Sequence, residues 1–183
     1  MGNYASVTKK ILKDIDFKAF DELRRRISSG KHVVRVGVPT GPEQGGTPLT
    51  MIAAVHEFGS GDGRIPERPF LRVAIEKSRM KYIRLNRINL VKMLRGQMVL
   101  EQALGQLGEM AKGDVQTEIR TGNFKPLEPT TIAARRRARG DGYNQDLDRK
   151  VSKKQKSGAS AGAIDRPLID TGQMVQSITW EIK

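Results

Sequence analysis

The chain has 183 residues, a net charge of +13 at pH 7, 37% hydrophobic residues and no cysteine. That length suits one domain, or one domain with a long excursion, and the missing cysteine excludes a disulfide framework and a thiolate metal site. No apolar run approaches membrane-spanning length, and a pI near 10.3 implies either a polyanionic partner or a solvated basic surface.

The first residues, Met1 to Ser6, lack the apolar core of a signal peptide. Gly2 and Ser6 fit a loose myristoylation pattern, which is read as chance. The expectation is a protein made in a reducing cytoplasm and held together by packing. Asp16 is placed to cap an amphipathic helix carrying Phe17, Phe20, Leu23 and Ile27, closed by Gly30, with Arg24, Arg25 and Arg26 mainly outside. Val34, Val36 and Val38 alternate with Val33, Arg35 and Gly37, which predicts a strand. Residues 39–46 form a Pro/Gly-rich loop that lacks the Gly-Lys-Ser/Thr of a phosphate-binding loop.

Residues 52–72 organise the rest. Thr47 caps and Pro48 opens a short helix with Ile52 and Val55 on one face. Gly59 ends it, Ser60, Gly61, Asp62 and Gly63 reverse the chain, and Pro66 and Pro69 stiffen the exit. Phe58 and Phe70 flank the reversal and are expected to bury together and clamp it. Glu57 is expected to pair with Arg68 or Arg72 across the turn.

From Phe70 the pattern is helical to about Leu85, with Leu71, Ile75, Ser78, Tyr82 and Leu85 on one stripe and Lys77, Lys81 and Arg84 opposite. Asn86 and Asn89 suggest a break. A second helix runs to about Ile119, with Leu100, Leu104, Leu107, Ala111, Val115 and Ile119 on one face. Gly96, Gly105, Gly108 and Gly113 weaken it or admit close packing. Residues 121–129 form a turn, and Thr130 or Thr131 caps a short helix through Arg137. Residues 139–166 are rich in Gly, Ser, Asp, Lys and Arg, a long basic loop with too little apolar surface to order itself without a partner. Asp170 or Thr171 then caps a turn. Ile178, Trp180 and Ile182 alternate with polar residues as a strand that pairs with residues 33–38.

The chemistry is sparse. His56-Glu57 invites a metalloprotease reading, but a second histidine must follow one turn on; the residue there is Ser60 and the other histidine is His32. No Gly-x-Ser-x-Gly elbow is present. The expectation is no catalytic residue, no metal and no cofactor, hence no enzyme. The basic segments speak louder: Arg135, Arg136, Arg137 and Arg139, then Arg149, Lys150, Lys153, Lys154 and Lys156. Such cations neutralise phosphates without reading sequence, and Tyr143 alone offers little base stacking.

The helix ending His56-Glu57-Phe58-Gly59, followed by Ile65-Pro66, Arg68, Pro69-Phe70-Leu71-Arg72, resembles the small neck and tail-completion proteins of tailed bacteriophages, the minor tail protein Z and virion-morphogenesis type. Pro167 to Gly172, with Asp170 and Thr171, then Ser177 and Ile178, is similar to the same family's C-terminal end. Lys125-Pro126-Leu127 with Pro129-Thr130-Thr131 is a weaker third piece. The pieces cover about a quarter of the chain, in the family's order.

The expected fold is a single α+β domain over residues 1–183: a small, mostly antiparallel sheet packed by two or three helices, with the basic loop before the C-terminal strand. The resemblance implies a structural subunit of the phage head–tail junction in the virion, made in the host bacterial cytoplasm. It implies a homo-oligomeric ring, a hexamer ahead of a dodecamer, that touches adjacent tail and head-connector proteins and no membrane. The basic residues are expected to contact neighbouring subunits, or else passing DNA without sequence specificity. The alternative is a free, non-sequence-specific nucleic-acid-binding protein.

Overall fold

The computed structural model describes residues 16–30, 32–41, 43–138, 166–169 and 172–183. The fold is α+β: helices with two small antiparallel strand pairs. The chain divides into two compact units. The first takes in residues up to Gly37, Ile75–Gly113 and Trp180–Lys183; the second takes in Val38–Ala74 and Asp114–Thr179.

In the first unit, helix α1 (Phe17–Ser29) starts where expected. Asp16 Oδ1 accepts the Lys18 and Ala19 N–H groups at 2.9 and 3.3 Å, satisfying donors that have no partner within the helix. The Asp16 N–H donates to the carbonyl of Leu94 at 2.8 Å. Leu23 packs into a core with Met93, Leu100 and Ala103. The rest of the expected apolar stripe, Phe17, Phe20 and Ile27, faces solvent. Arg25 and Arg26 pair with Glu22, and Arg26 also reaches Glu101.

Strand β1 (Val34–Gly37) turns Val34 and Val36 inward and Arg35 outward, and it pairs with the C-terminal strand as the alternating pattern predicts. Strands β2 (Glu43–Gln44) and β3 (Thr47–Pro48) form a hairpin in which Glu43 faces Pro48 and Gln44 faces Thr47. Gly45 and Gly46 both have positive φ, at 59° and 76°, as a two-residue turn of this twist requires. Thr47 is therefore part of a strand, not a helix cap. Helix α2 (Leu49–Phe58) begins without any side-chain cap.

Helix α3 (Phe70–Leu94) runs unbroken for 25 residues, past the expected break. Asparagine disrupts helices by bonding nearby backbone. Asn89 instead lies buried on the inward row with Ser78 and Met93, and its amide bonds no backbone group. The helix closes at Gly96, φ +69°, where the Gly96 and Gln97 N–H groups return to the carbonyls of Met93 and Lys92.

Helix α4 (Leu100–Thr121) buries Leu100, Ala103, Ala111, Val115 and Ile119. Helix α5 (Pro129–Ala138) starts with proline, and the Glu128 carbonyl accepts from Thr131 and Ile132. Helix α6 (Gln173–Ser177) begins after Gly172, φ +80°, which takes the cap position expected of Asp170 or Thr171. Those two residues lie outside the described residues.

Strand β4 (Thr179–Ile182) closes the chain. Val33 and Lys183 exchange both backbone hydrogen bonds, at 2.8 and 2.9 Å, as an antiparallel pair does. Trp180 lies over Gly105 and Gly108 of α4 and donates from Nε1 to Glu109 Oε1 at 2.8 Å. A Cβ on Gly108 would sit 2.5 Å from Trp180 Cε3, so close approach, not helix weakness, explains this glycine. Gly108→Ala should destabilise the protein by about 1–3 kcal/mol through overpacking. Gly113→Ala, where a Cβ meets open space, should instead stabilise by up to about 1 kcal/mol. Urea titrations followed by Trp180 fluorescence check both; a neutral Gly108→Ala would contradict the packing.

Candidate functional site

The second unit brings together the three stretches that the sequence singles out. Helix α2 turns one row inward: Leu49, Ala53 and Glu57, spaced four apart. Glu57 is thereby buried at the helix end. Its two carboxylate oxygens accept the N–H groups of Leu71 and Arg72 at 2.9 and 3.0 Å. These are among the donors at the start of α3 that no helical carbonyl reaches, and the helix dipole favours a negative charge there. Glu57 is thus a remote cap of α3 and forms no ion pair with the guanidinium of Arg68 or Arg72, correcting the expected pairing. Arg72 instead meets Glu67 at 3.5 Å on the surface.

Arg68 is 3% exposed and serves as a staple. Its guanidinium donates to the carbonyls of Lys125 and Pro126 at 2.9 and 3.2 Å, and its own N–H donates to the His56 carbonyl at 2.7 Å. The Lys125-Pro126-Leu127 stretch is fixed in this way to the turn after α2. Arg135 does the same for the C-terminal stretch. Nη1 donates to the carbonyls of Arg166 and Ile169 at 3.0 and 3.1 Å, and Nη2 to that of Pro167 at 3.4 Å. Arg166 in turn donates to the Arg120 carbonyl. Arg136 is half-buried, and Arg137 is exposed beside the Ala133 carbonyl. Arg139, Arg149, Lys150, Lys153, Lys154 and Lys156 lie outside the described residues, as does Tyr143.

The expected aromatic clamp is half present. Phe70 is 2% exposed, but Phe58 is 72% exposed. The reason is helical phase: with Glu57 on the inward row, the next residue points about 100° away. Gly59 follows at φ 79°, ψ 172°, a region open essentially to glycine. A Cβ there would meet the Ile65 carbonyl at 3.1 Å. The reversal is closed by its own side chains: Ser60 Oγ donates to Asp62 and accepts the Ile65 N–H, while Ser60 N–H donates to the Ile65 carbonyl. Pro66 and Pro69, both half-buried, lead into α3.

His56 lines a cavity of about 180 Å³ with Ile52, Arg135, Pro167 and Leu168. Burial, then the charges of Arg68 and Arg135, push its pKa from 6.5 down to about 4, so it is neutral in the folded protein at pH 7. The unfolded chain binds a proton first on acidification, so this residue's contribution is present above pH 6.5 and is lost towards pH 4. Thermal midpoints should fall from pH 6.5 to 5, and His56→Gln should flatten that segment; an equal slope in both would contradict it. His32 Nε2 contacts the Arg26 carbonyl at 2.8 Å.

The site's chemistry is structural. One carboxylate and two guanidiniums engage backbone groups from three stretches of chain, at 71–72, 125–126 and 166–169. Among the described residues no group of three or more His, Cys, Asp or Glu could hold a metal ion, and no helix is long and apolar enough to cross a membrane. Sequence reasoning missed these three roles because each partner is a backbone group distant in sequence, which leaves no local spacing signal. Comparison of the chain with protein-family models, curated proteins and solved structures finds no match.

Proposed function

We propose that this chain is a non-enzymatic structural subunit of the tailed-phage head–tail junction, a neck or tail-completion protein that forms a homo-oligomeric ring. The observation that carries the reading is the assembly of one scaffold from the three resembling stretches. Residues 56–72, 125–131 and the described part of 166–178 lie in one unit, tied by Arg68 and Arg135 to backbone carbonyls. Segments that resemble one family in the family's order, and that also fasten one another, support a shared fold better than scattered matches would. A ring of identical subunits needs heterologous contacts that close on themselves. Six-fold closure is favoured over twelve-fold by the usual symmetry of tail rings. Native mass spectrometry of the purified protein tests this. A single closed oligomer, six or twelve copies, supports it, and a strict monomer at all concentrations contradicts it.

One observation favours the second reading, a non-sequence-specific nucleic-acid binder. Helix α3 carries seven basic residues and one acidic residue, and Arg79, Arg84, Arg87 and Lys92 are exposed with no carboxylate partner among the described residues. Under that reading duplex affinity falls steeply with salt, by about 0.9 log units per log unit of salt for each phosphate contacted. Substituting glutamine for these four cations would then flatten the slope.

A further inference from the structure

A ring built from heterologous contacts needs two different patches on one chain, and two exposed apolar patches are present. The first is on α1: Phe17 is 74% exposed, Phe20 43% and Ile27 56%. The second is on α2 and the turn after it: Met51 is 61% exposed, Phe58 72% and Ile65 39%. Met51 and Phe58 are seven residues apart and share one helical face.

We infer that these patches are the two halves of one head-to-tail contact, the α1 stripe of one copy seating on the Phe58 face of the next. The inference rests on the ring reading above and says where the ring closes. Three observations carry it.

The first is area. A large aromatic side chain brings about 150–250 Å², so at these exposures each patch offers roughly 300 Å² of apolar surface. Joined, they cover roughly 600 Å², about two thirds of the apolar share of a standard-size interface.

The second is charge. Arg24 lies on the α1 stripe, exposed and without a carboxylate partner among the described residues, and Arg25 is exposed beside it. A symmetric contact of α1 with α1 would set the unpaired Arg24 against its own copy, Arg25 being held by Glu22. On the second patch the Glu67 backbone lies beside Gly59, next to Phe58, and the Glu67 carboxylate is held at 3.5 Å by Arg72. On this face the charges are paired among themselves, Asp62 with Arg64 and Glu67 with Arg72, so the head-to-tail arrangement avoids setting like charges against each other, which is costly across an interface.

The third is rigidity. Phe58 stands on a helix end fixed by the tight Gly59 approach to Ile65, and buried aromatic anchors on fixed backbone are where binding energy concentrates.

The test uses complementation. Phe17→Asp breaks the first patch and Phe58→Asp the second, each leaving the other intact. Both side chains are exposed in the subunit, so far-UV circular dichroism and Trp180 fluorescence should stay those of the folded chain; Met51→Lys is a milder second variant for the α2 face. By native mass spectrometry each variant alone should be monomeric, with association weakened at least about 30-fold. Mixed in equal amounts they should form dimers and nothing larger, because each pair retains one intact contact. If the wild type assembles and both variants assemble equally well, the contact is wrong while the ring reading stands. If the variants are monomeric and their mixture stays monomeric, the two patches do not meet each other and the inference falls. A wild-type chain that is always monomeric overturns both.

Discussion

Phe70→Ala should lower stability by about 3–5 kcal/mol, the usual cost of emptying a buried phenylalanine site, while Phe58→Ala should change it by less than about 0.5 kcal/mol. The two residues belong to one short motif and flank one turn, yet Phe70 is 2% exposed and Phe58 72%. Phe70 opens α3 and sits two residues after the Arg68 staple. Its loss leaves a cavity at the buried start of α3, and close-packed interiors collapse onto such gaps only in part. Within its own subunit Phe58 has no such site to vacate, so the comparison is made at concentrations where the subunit is monomeric. Urea titrations of both variants at pH 7 measure the difference. Equal losses would mean that Phe58 is buried in the folded subunit and that the α2 face is not a free surface.

Glu57→Ala should cost about 3 kcal/mol, and Glu57→Gln roughly half of that. The carboxylate accepts two backbone N–H groups, from Leu71 and Arg72, and hydrogen bonds to charged groups contribute about 1.5–3 kcal/mol each. Alanine leaves both donors at the start of α3 without an acceptor. Glutamine keeps one oxygen and loses the charge that the helix dipole favours. The loss should appear as a lower urea midpoint with an unchanged slope, together with faster amide exchange in the first turn of α3. Were Glu57 instead an ion-pair partner of a surface arginine, both substitutions would cost no more than about 1 kcal/mol.

Much of the element plan was legible because it depends on neighbours in sequence. Asp16 before an amphipathic run gave a cap, alternation around Val34 and Val36 and again around Trp180 gave two strands, and their pairing followed from the need to cover both apolar faces. The spacing of Leu100, Ala111, Val115 and Ile119 gave the inward face of α4. Where the reading went astray, a tertiary partner overrode a local preference. Thr47 is a good cap by type, but the hairpin with Glu43 and Gln44 holds it in a strand. Asn89 is a helix disruptor by type, but burial on the inner row removes it from the backbone it would compete for. Phe58 is apolar by type, but the inward row belongs to Leu49, Ala53 and Glu57.

The candidate site was legible as a set of segments and not as a set of bonds. Glu57, Arg68 and Arg135 stand out in sequence as charges, which invites a search for opposite charges. Each in fact meets backbone groups, and a backbone carbonyl at Lys125 or Pro167 has no residue type to betray it. The Arg135 guanidinium, expected at an intermolecular contact, binds three carbonyls of the 166–169 stretch. Four exposed cations without a carboxylate partner among the described residues lie instead on one helix, α3, at Arg79, Arg84, Arg87 and Lys92.

Locating the chain in intact phage particles tests the central claim most directly. With an epitope tag on the chain, electron microscopy of antibody-labelled virions should place it at the junction of head and tail. Averaged images of that junction should show it as a ring coaxial with the tail. A chain absent from purified virions, or found inside the head with the packaged DNA, would contradict the account.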